Sequence, residues 1–175
     1  MWNGRFARFA DMQISIVGEA GPTPEIAALA EEVGAELGRR GITLVCGGGQ
    51  GVMEAACRGA KSQGGTTIGI LPGSDLSAAN DWVDVTIPTG LGQARNVIIA
   101  RSGSAAIAIG GRYGTLTEIG HALKAGIPVV GLRTWTLSKS GAVDPSIIVA
   151  TDAKDAVEKA VSVAERPRPT DISND

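Results

Sequence analysis

The sequence is short of the residues that metal centres and disulfide frameworks require. Its 175 residues include one histidine, His121, and two cysteines, Cys46 and Cys57. The cysteines do not form a CxxC pair and no histidines cluster near them, which argues against structural zinc and against a disulfide framework. We therefore predict that the protein needs neither a metal ion nor a resident cofactor.

An excess of one charge and long apolar runs are also lacking. Lysine and arginine total 16 against 18 aspartates and glutamates, so no basic excess is available to neutralise the phosphates of a nucleic-acid duplex. No stretch of about 18 apolar residues could span a membrane, and the start of the chain lacks an apolar run of secretory length. These absences predict a cytoplasmic protein with no nucleic-acid partner and no membrane contact.

Glycine, in contrast, is abundant, and many of the 25 glycines lie at the ends of apolar runs. These runs have the length and composition of strands, and segments with helical periodicity separate them. Predicted strands lie at 14–17, 42–46, 66–71, 82–87, 104–109, 127–132 and 147–150, and predicted helices at 24–40, 52–62, 91–101, 115–124 and 152–164. The segment between the last two strands is predicted to be largely irregular.

The alternation of strands and helices predicts an α/β fold of the Rossmann-like, doubly wound kind. Because the strands are continuously apolar, we expect a mostly parallel sheet of about seven strands with helices on both faces. Residues 13–165 would form a single nucleotide-binding domain. A flexible segment at 1–12 and a disordered tail at 166–175 are predicted to flank it.

The glycine-rich loops are the strongest functional signal in the chain. Strand-to-helix loops of a parallel sheet emerge at its carboxyl edge, where doubly wound proteins bind ligands. Five loops are expected to converge there, at 18–21, 47–51, 72–75, 88–95 and 110–115. Two of them, at 47–51 and 110–114, have the pattern G-G-x-x-G, which lets bare backbone and a helix start approach a phosphate. The alternative, that these glycines only make the turns tight, stays open.

Two common classes of nucleotide-binding protein do not match the sequence. No G-x-x-x-x-G-K-[ST] motif occurs, which argues against a P-loop NTPase. A dinucleotide dehydrogenase would have G-x-G-x-x-G after its first strand and an acidic residue at the end of its second, where this chain has Gly47 and Gly48. The phosphate loops therefore indicate a different kind of nucleotide-like ligand.

The two glycine motifs resemble those of the LOG-like family, which carries the label "possible lysine decarboxylase" and includes cytokinin-nucleotide phosphoribohydrolases and molybdenum-cofactor carrier proteins. The signature G-G-x-x-G-[LV]-M appears at 47–53, and the signature P-G-G-x-G-T-x-x-E aligns with 110–118. The resemblance covers about residues 14–130. Gly110 replaces the proline of the second signature and Arg112 replaces its second glycine.

The resemblance implies a set of site residues. Arg95 and Glu118 correspond to an arginine and a glutamate that work together in the family's hydrolases. The glycine loops and the two signatures together predict the ligand- or phosphate-binding residues, which are Gly18, Gly47, Gly48, Gly49, Gln50, Gly51, Met53, Gly110, Gly111, Arg112, Tyr113, Gly114 and Thr115. The decarboxylase label finds no support, because nothing marks any of the five lysines as a Schiff-base residue.

Several of these residues have a second interpretation. Glu118 could stabilise an oxocarbenium-like transition state or orient water, but Thr115 and Glu118 also fit a capping box in which the glutamate bonds the start of its helix. Arg95 could clamp a phosphate or ribose, or be a solvated surface arginine. Arg112 could contact the phosphate or point to solvent. His121 is interpreted as structural.

These observations lead to two functional hypotheses. The first is a protein that binds a nucleoside 5′-monophosphate or a similar phosphorylated ligand and hydrolyses its N-glycosidic bond through Glu118 and Arg95. The alternative is a non-catalytic carrier or sensor of a phosphorylated cofactor, such as a molybdenum-cofactor carrier protein. Whether the protein is an enzyme is left open. The family resemblance also implies a homo-oligomer, a dimer or tetramer, with Val97 and Ile98 available for a subunit contact.

Overall fold

Strands and helices alternate through the computed structural model, which describes residues 12–165. The strands are β1 (Gln13–Gly18), β2 (Thr43–Cys46), β3 (Thr67–Leu71), β4 (Val85–Pro88), β5 (Ala105–Ile109), β6 (Val129–Leu132), β7 (Leu137–Lys139), β8 (Ala142–Asp144) and β9 (Ile147–Ala150). The helices are α1 (Pro24–Arg39), α2 (Val52–Ser62), α3 (Asn96–Ser102), α4 (Tyr113–Lys124) and α5 (Ala153–Ala164). Short 3₁₀ helices lie at Leu76–Ala78 and Gly92–Arg95. The predicted flexible segment and tail lie outside the described residues, except for Met12, which is buried in the core.

Seven of the strands form one sheet, in the order β4-β3-β2-β1-β5-β6-β9, and every neighbouring pair is parallel. The predicted Rossmann-like sheet is therefore confirmed. The strand order reverses between β1 and β5, whose last residues, Gly18 and Ile109, are paired in register. In open α/β sheets the crevice at such a reversal is the usual ligand site.

Alternate residues of the central strands face two separate apolar layers. Ile14 and Ile16 of β1 belong to a core with buried residues of α1, α2 and α5, whereas Val17 belongs to a second core with buried residues of α3 and α4. Helices thus cover both faces of the sheet, and the carboxyl edge is left for the loops. None of the helices within residues 12–165 combines the length and apolarity needed to cross a membrane.

Helices α1 and α2 approach each other closely because glycines lie at their contact. A Cβ added to Gly34 of α1 would overlap the carbonyl oxygen of Ala56, and one added to Gly59 of α2 would overlap that of Glu31. Neither overlap can be relieved by rotating a side chain, since the neighbouring atoms belong to the backbone. The position of α2 relative to α1, and with it the loop that precedes α2, depends on these glycines.

We expect Gly34→Ala to destabilise the fold by about 2 kcal/mol, because the helices must move apart at an overpacked contact. Gly120→Ala is the matched control, since Gly120 is an exposed interior residue of α4 and a Cβ there meets nothing within 4 Å. That control should be more stable by roughly 0.5–1 kcal/mol, the helix preference of alanine over glycine. Urea unfolding measures both changes, and equal effects of the two substitutions would refute the proposed role of Gly34.

Three predicted elements differ from the structure by more than two residues at an end, or in their content. The predicted strand at 82–87 begins only at Val85, because Asn80 turns the chain: its backbone carbonyl accepts the Val83 N–H and its side-chain oxygen accepts the Trp82 N–H. The predicted helix at 91–101 is a 3₁₀ turn followed by α3. The segment predicted as irregular contains the antiparallel hairpin β7–β8, whose turn residues Ser140 and Gly141 both have positive φ.

Candidate ligand-binding site

A cavity of about 290 Å³ opens at the carboxyl edge of the sheet, at the reversal between β1 and β5. Its walls come from the loop after β1, the start of α2, the 3₁₀ turn that leads into α3, and the first turns of α4. The lining residues are Gly18, Glu19, Ala20, Gly21, Met53, Gln93, Arg95, Asn96, Arg112, Gly114, Thr115 and Glu118. The cavity is close to the lower end of the size range of small-molecule sites, about 300–1,000 Å³.

Arg95 lines this cavity, and its half-buried side chain is not that of a solvated surface residue. Its Nη1 donates to the carbonyl oxygen of Gly47 at 2.7 Å and also to that of Ile70. Gly47 directly follows β2, and Ile70 lies near the end of the neighbouring strand β3, so the guanidinium connects the carboxyl ends of these two strands. Burial lowers the pKa of Arg95, and the charge of Glu118 opposes that shift.

Glu118 lies on α4, one turn beyond the start of the helix, and lines the cavity together with Arg95. Burial raises the pKa of its carboxyl from the ordinary value of 4.5 to about 7, although the positive charge of Arg95 acts in the opposite direction. Both protonation states are therefore accessible near neutral pH. A carboxyl with such a pKa inside a cavity is a candidate catalytic group.

The raised pKa of Glu118 has a consequence for stability. A carboxyl that binds its proton more tightly when folded favours the native state at low pH, and this contribution is lost as pH rises through about 7. We expect Glu118→Gln to be more stable than the wild type at pH 8 by on the order of 2 kcal/mol, and the gain to shrink toward pH 5. Urea unfolding at the two pH values measures this.

Glu32→Gln, on the exposed side of α1, is the control for this change and should leave the pH dependence of stability unaltered. If the unfolding free energies of Glu118→Gln and the wild type differ by the same amount at pH 5 and pH 8, Glu118 does not titrate as described.

Arg95 and the next residue, Asn96, each have a polar side-chain atom without a hydrogen-bond partner in the described part of the chain. The Oδ1 atom of Asn96 and the Nε atom of Arg95 are both buried and make no hydrogen bond. Asn96 is only 7% exposed, and both residues line the cavity. Since buried polar groups are normally paired, these two atoms mark positions where a ligand could accept and donate hydrogen bonds.

The carbonyl groups of the first glycine motif are bonded within the protein. Its carbonyls point inward: Gly47 accepts from Arg95, and the carbonyls of Gly48 and Gly49 accept from Asn80 at distances of 2.7–3.2 Å. The Gly48 N–H donates to Sγ of Cys46 at 3.3 Å. Of the predicted residues in this motif, Met53 lines the cavity, whereas Gly47, Gly48, Gly49, Gln50 and Gly51 do not. Phosphate binding by this loop stays a prediction.

The second glycine motif surrounds the N-terminus of α4. Gly114 and Thr115 line the cavity, and so does Arg112, whose side chain is 82% exposed. The Gly111 N–H donates to the carboxylate of Glu19 at 3.2 Å, and Arg112 Nε lies 3.3 Å from the other oxygen of the same carboxylate. Tyr113 is exposed outside the cavity, where its ring contacts that of Trp135.

The capping-box interpretation of Glu118 is wrong. Helix α4 begins at Tyr113, two residues before Thr115, and its N-cap is Arg112 without a side-chain hydrogen bond. Glu118 therefore lies beyond the first turn and cannot reach the N-cap amide. The structure leaves its carboxyl free for the cavity.

A second, more open cavity of about 450 Å³ lies on the other side of the second glycine loop. Its lining includes Gly110 and Gly111 of that loop, Arg133, Trp135 and, again, Glu19. Glu19 thus lines both cavities. Among residues 12–165 there is no group of three or more histidine, cysteine, aspartate or glutamate side chains that could hold a metal ion.

Sequence reasoning missed Glu19, Gln93 and Asn96 as site residues. Asn96 directly follows Arg95, so its place at the start of α3 could have suggested it. Glu19 lies in the first of the five predicted loops, but an acidic residue is not expected in a loop thought to bind phosphate.

Comparisons with known proteins identify the family and show the same fold in solved structures. The family model described as "LDcluster4: SLOG cluster4 family" matches residues 11–166. A protein of Archaeoglobus fulgidus without an assigned function is 44% identical over 122 residues, 70% of this chain and 80% of that protein. The cytokinin riboside 5′-monophosphate phosphoribohydrolase of Mycobacterium tuberculosis is 33% identical and is matched over 92% of its length and 84% of this chain. The molybdenum cofactor binding protein of Rippkaea orientalis superposes with a TM-score of 0.79 at 33% identity, covering 87% of this chain and 96% of that one.

Proposed function

The chain belongs to the SLOG cluster4 family of LOG-like proteins, and from this premise we propose that it binds a nucleoside 5′-monophosphate and hydrolyses its N-glycosidic bond. The ligand would occupy the cavity between β1, α3 and α4, with its phosphate near the start of α4. The observation that carries this proposal is Glu118, a carboxyl whose pKa is raised to about 7 inside a cavity that also contains the guanidinium of Arg95.

In the proposed reaction the bond between C1′ and the base nitrogen breaks, and the base leaves with the electron pair. Positive charge develops at C1′ and the ring oxygen, and the ionised form of Glu118 would stabilise it. The oxygen of a water molecule then bonds to C1′, and its proton is transferred to the base. Arg95 would hold the anionic or hydroxyl groups of the ligand, and its anchoring to two carbonyls keeps it in place.

The test is to incubate the protein with a panel of nucleoside 5′-monophosphates and to measure free base by chromatography from pH 5 to pH 9. If the ionised form of Glu118 is required, kcat/KM rises with pH up to about 7 and is level above it. Absence of base release from every nucleotide would exclude hydrolysis. A rate that does not change between pH 5 and pH 9 would exclude Glu118 as the titrating group.

A second candidate function is a carrier of a phosphorylated cofactor without catalysis. It is favoured by the likeness to the molybdenum cofactor binding protein and by the second cavity, where Trp135 offers an aromatic ring beside Gly111. A phosphorylated pterin would extend from the first cavity into the second. Fluorescence titration with such a pterin tests this: binding without base release from nucleotides supports the carrier, and no binding of the pterin excludes it.

We further propose that the chain forms a homo-oligomer through the side of the molecule near the edge strand β4. The apolar side chains of Ile87 in β4, Leu91 in the loop that follows β4 and Ile98 in α3 are 43%, 53% and 40% exposed. Exposed apolar surface of this kind is buried when subunits associate. Light scattering should give a mass of two or four chains, and Ile98→Glu should lower it; a monomeric wild type would refute the proposal.

A further inference from the structure

Glu19 lies where an anion bound to the second glycine loop would lie. One carboxylate oxygen accepts the N–H of Gly111 at 3.2 Å, and the other is 3.3 Å from Nε of Arg112. These are a backbone N–H just before the start of α4 and a guanidinium, the two kinds of donor that hold a phosphate. The side chain is mostly withdrawn from solvent, at 18% exposure.

The glycines of the loop permit this approach. A Cβ added to Gly110 would lie 3.0 Å from a carboxylate oxygen of Glu19, and Gly110 has a φ of +55°, which other residues rarely adopt. The glycine backbone at which we predicted a phosphate site therefore already binds the carboxylate of Glu19. Glu19 and Arg112 also line the first cavity, together with Asn96. Asn96 is 7% exposed and has an unpaired Oδ1, which independently indicates that a ligand completes that cavity.

We infer that Glu19 is an internal competitor for the anion position at Gly111 and Arg112, and that it determines which ligands the site accepts. The inference rests on the proposed function, because it assumes that the ligand's phosphate occupies this position. Like the carboxylate of Glu19, a phosphate can bond both donors at once, and it carries more negative charge. A ligand without phosphate cannot displace Glu19, so the site discriminates between a nucleotide and its nucleoside.

Glu19→Gln tests this role with little change in shape. The glutamine can still accept the N–H of Gly111, but it has no charge to oppose a phosphate or to hold Arg112. We expect its affinity for inorganic phosphate and for 5′-AMP, measured by calorimetry, to be at least about tenfold higher than that of the wild type. Its affinity for adenosine should be unchanged. A residue that only supports the loop would alter the binding of adenosine and AMP alike.

Glu25→Gln is the matched control. Glu25 lies in the first turn of α1 and pairs with Arg133 at 3.7 Å, but its side chain is 70% exposed and lies outside both cavities. Its loss changes the net charge equally and should leave both affinities at their wild-type values. A measurement on the wild type does not depend on either variant: added phosphate should shift the NMR signal of the Gly111 amide.

The outcomes separate this inference from the proposed function. Unchanged or weaker phosphate binding by Glu19→Gln, or absence of phosphate binding by all proteins, overturns the competitor role; the function still stands if the wild type binds and cleaves nucleotides. Tighter phosphate binding by Glu19→Gln supports the competitor role even if no nucleotide is cleaved. In that case only the proposed hydrolysis is refuted.

Discussion

Replacing Glu118 with glutamine is expected to lower kcat/KM for base release by about 10²–10⁴-fold, the usual effect of removing a carboxyl that acts in the transition state. Glutamine retains the shape of the side chain but cannot carry the negative charge that would stabilise an oxocarbenium-like C1′. Nucleotide affinity should change much less, because the charge is needed mainly in the transition state. The measurement is free base released per unit time, at saturating and at limiting nucleotide.

We do not expect Glu118→Gln to destabilise the fold, because the ionised form of the buried Glu118 carboxyl lowers the stability of the native state. A loss of activity together with a gain of stability at pH 8 would distinguish a catalytic role from a structural one. The exposed Glu25→Gln variant should retain wild-type activity. Undiminished base release by Glu118→Gln would refute the mechanism.

Replacing Arg95 with methionine is expected to have the next largest effect, on both stability and binding. The carbonyls of Gly47 and Ile70 would lose their shared donor, and each unpaired buried carbonyl costs about 1–3 kcal/mol. Methionine also removes a partly buried charge, which offsets some of that cost. We expect a net loss of about 2 kcal/mol in urea unfolding and at least about tenfold weaker binding of 5′-AMP.

Arg95→Lys separates the two roles of this residue. Lysine retains the positive charge but not the planar fork. It should therefore recover more of the nucleotide affinity than of the stability. Arg101→Met, at the exposed end of α3, is the control and should resemble the wild type. If Arg95→Met binds 5′-AMP as tightly as the wild type, Arg95 has no part in the ligand site.

The sheet was predictable because the apolar runs of its strands and the capping residues of its helices indicate the same fold. The strand residues of β1, β2, β5 and β6 are almost all buried, and each strand appears in the sequence as a short, mostly apolar run. Thr23 and Asp152 cap α1 and α5 as their sequence types suggest. The hairpin β7–β8 was missed because its strands are only three residues long and mostly exposed, so they have little apolar pattern.

The candidate site was less predictable than the fold, for a specific physical reason. A glycine motif indicates that backbone is accessible, but it does not indicate whether N–H or C=O groups face the ligand. At Gly47 the carbonyl points inward and bonds Arg95, whereas at Gly111 the N–H is directed at Glu19. Glu19 is 92 residues away from Gly111 in the chain, so only the adjacency of β1 and β5 brings them together.

The most direct test of the account is a crystal structure of the chain grown with 5′-AMP. We predict that the nucleotide lies in the cavity at the reversal between β1 and β5, with its phosphate at the start of α4, Glu19 displaced from Gly111, and C1′ facing Glu118. A nucleotide bound elsewhere on the molecule would contradict the account. So would a phosphate outside the cavity while Glu19 still bonds Gly111.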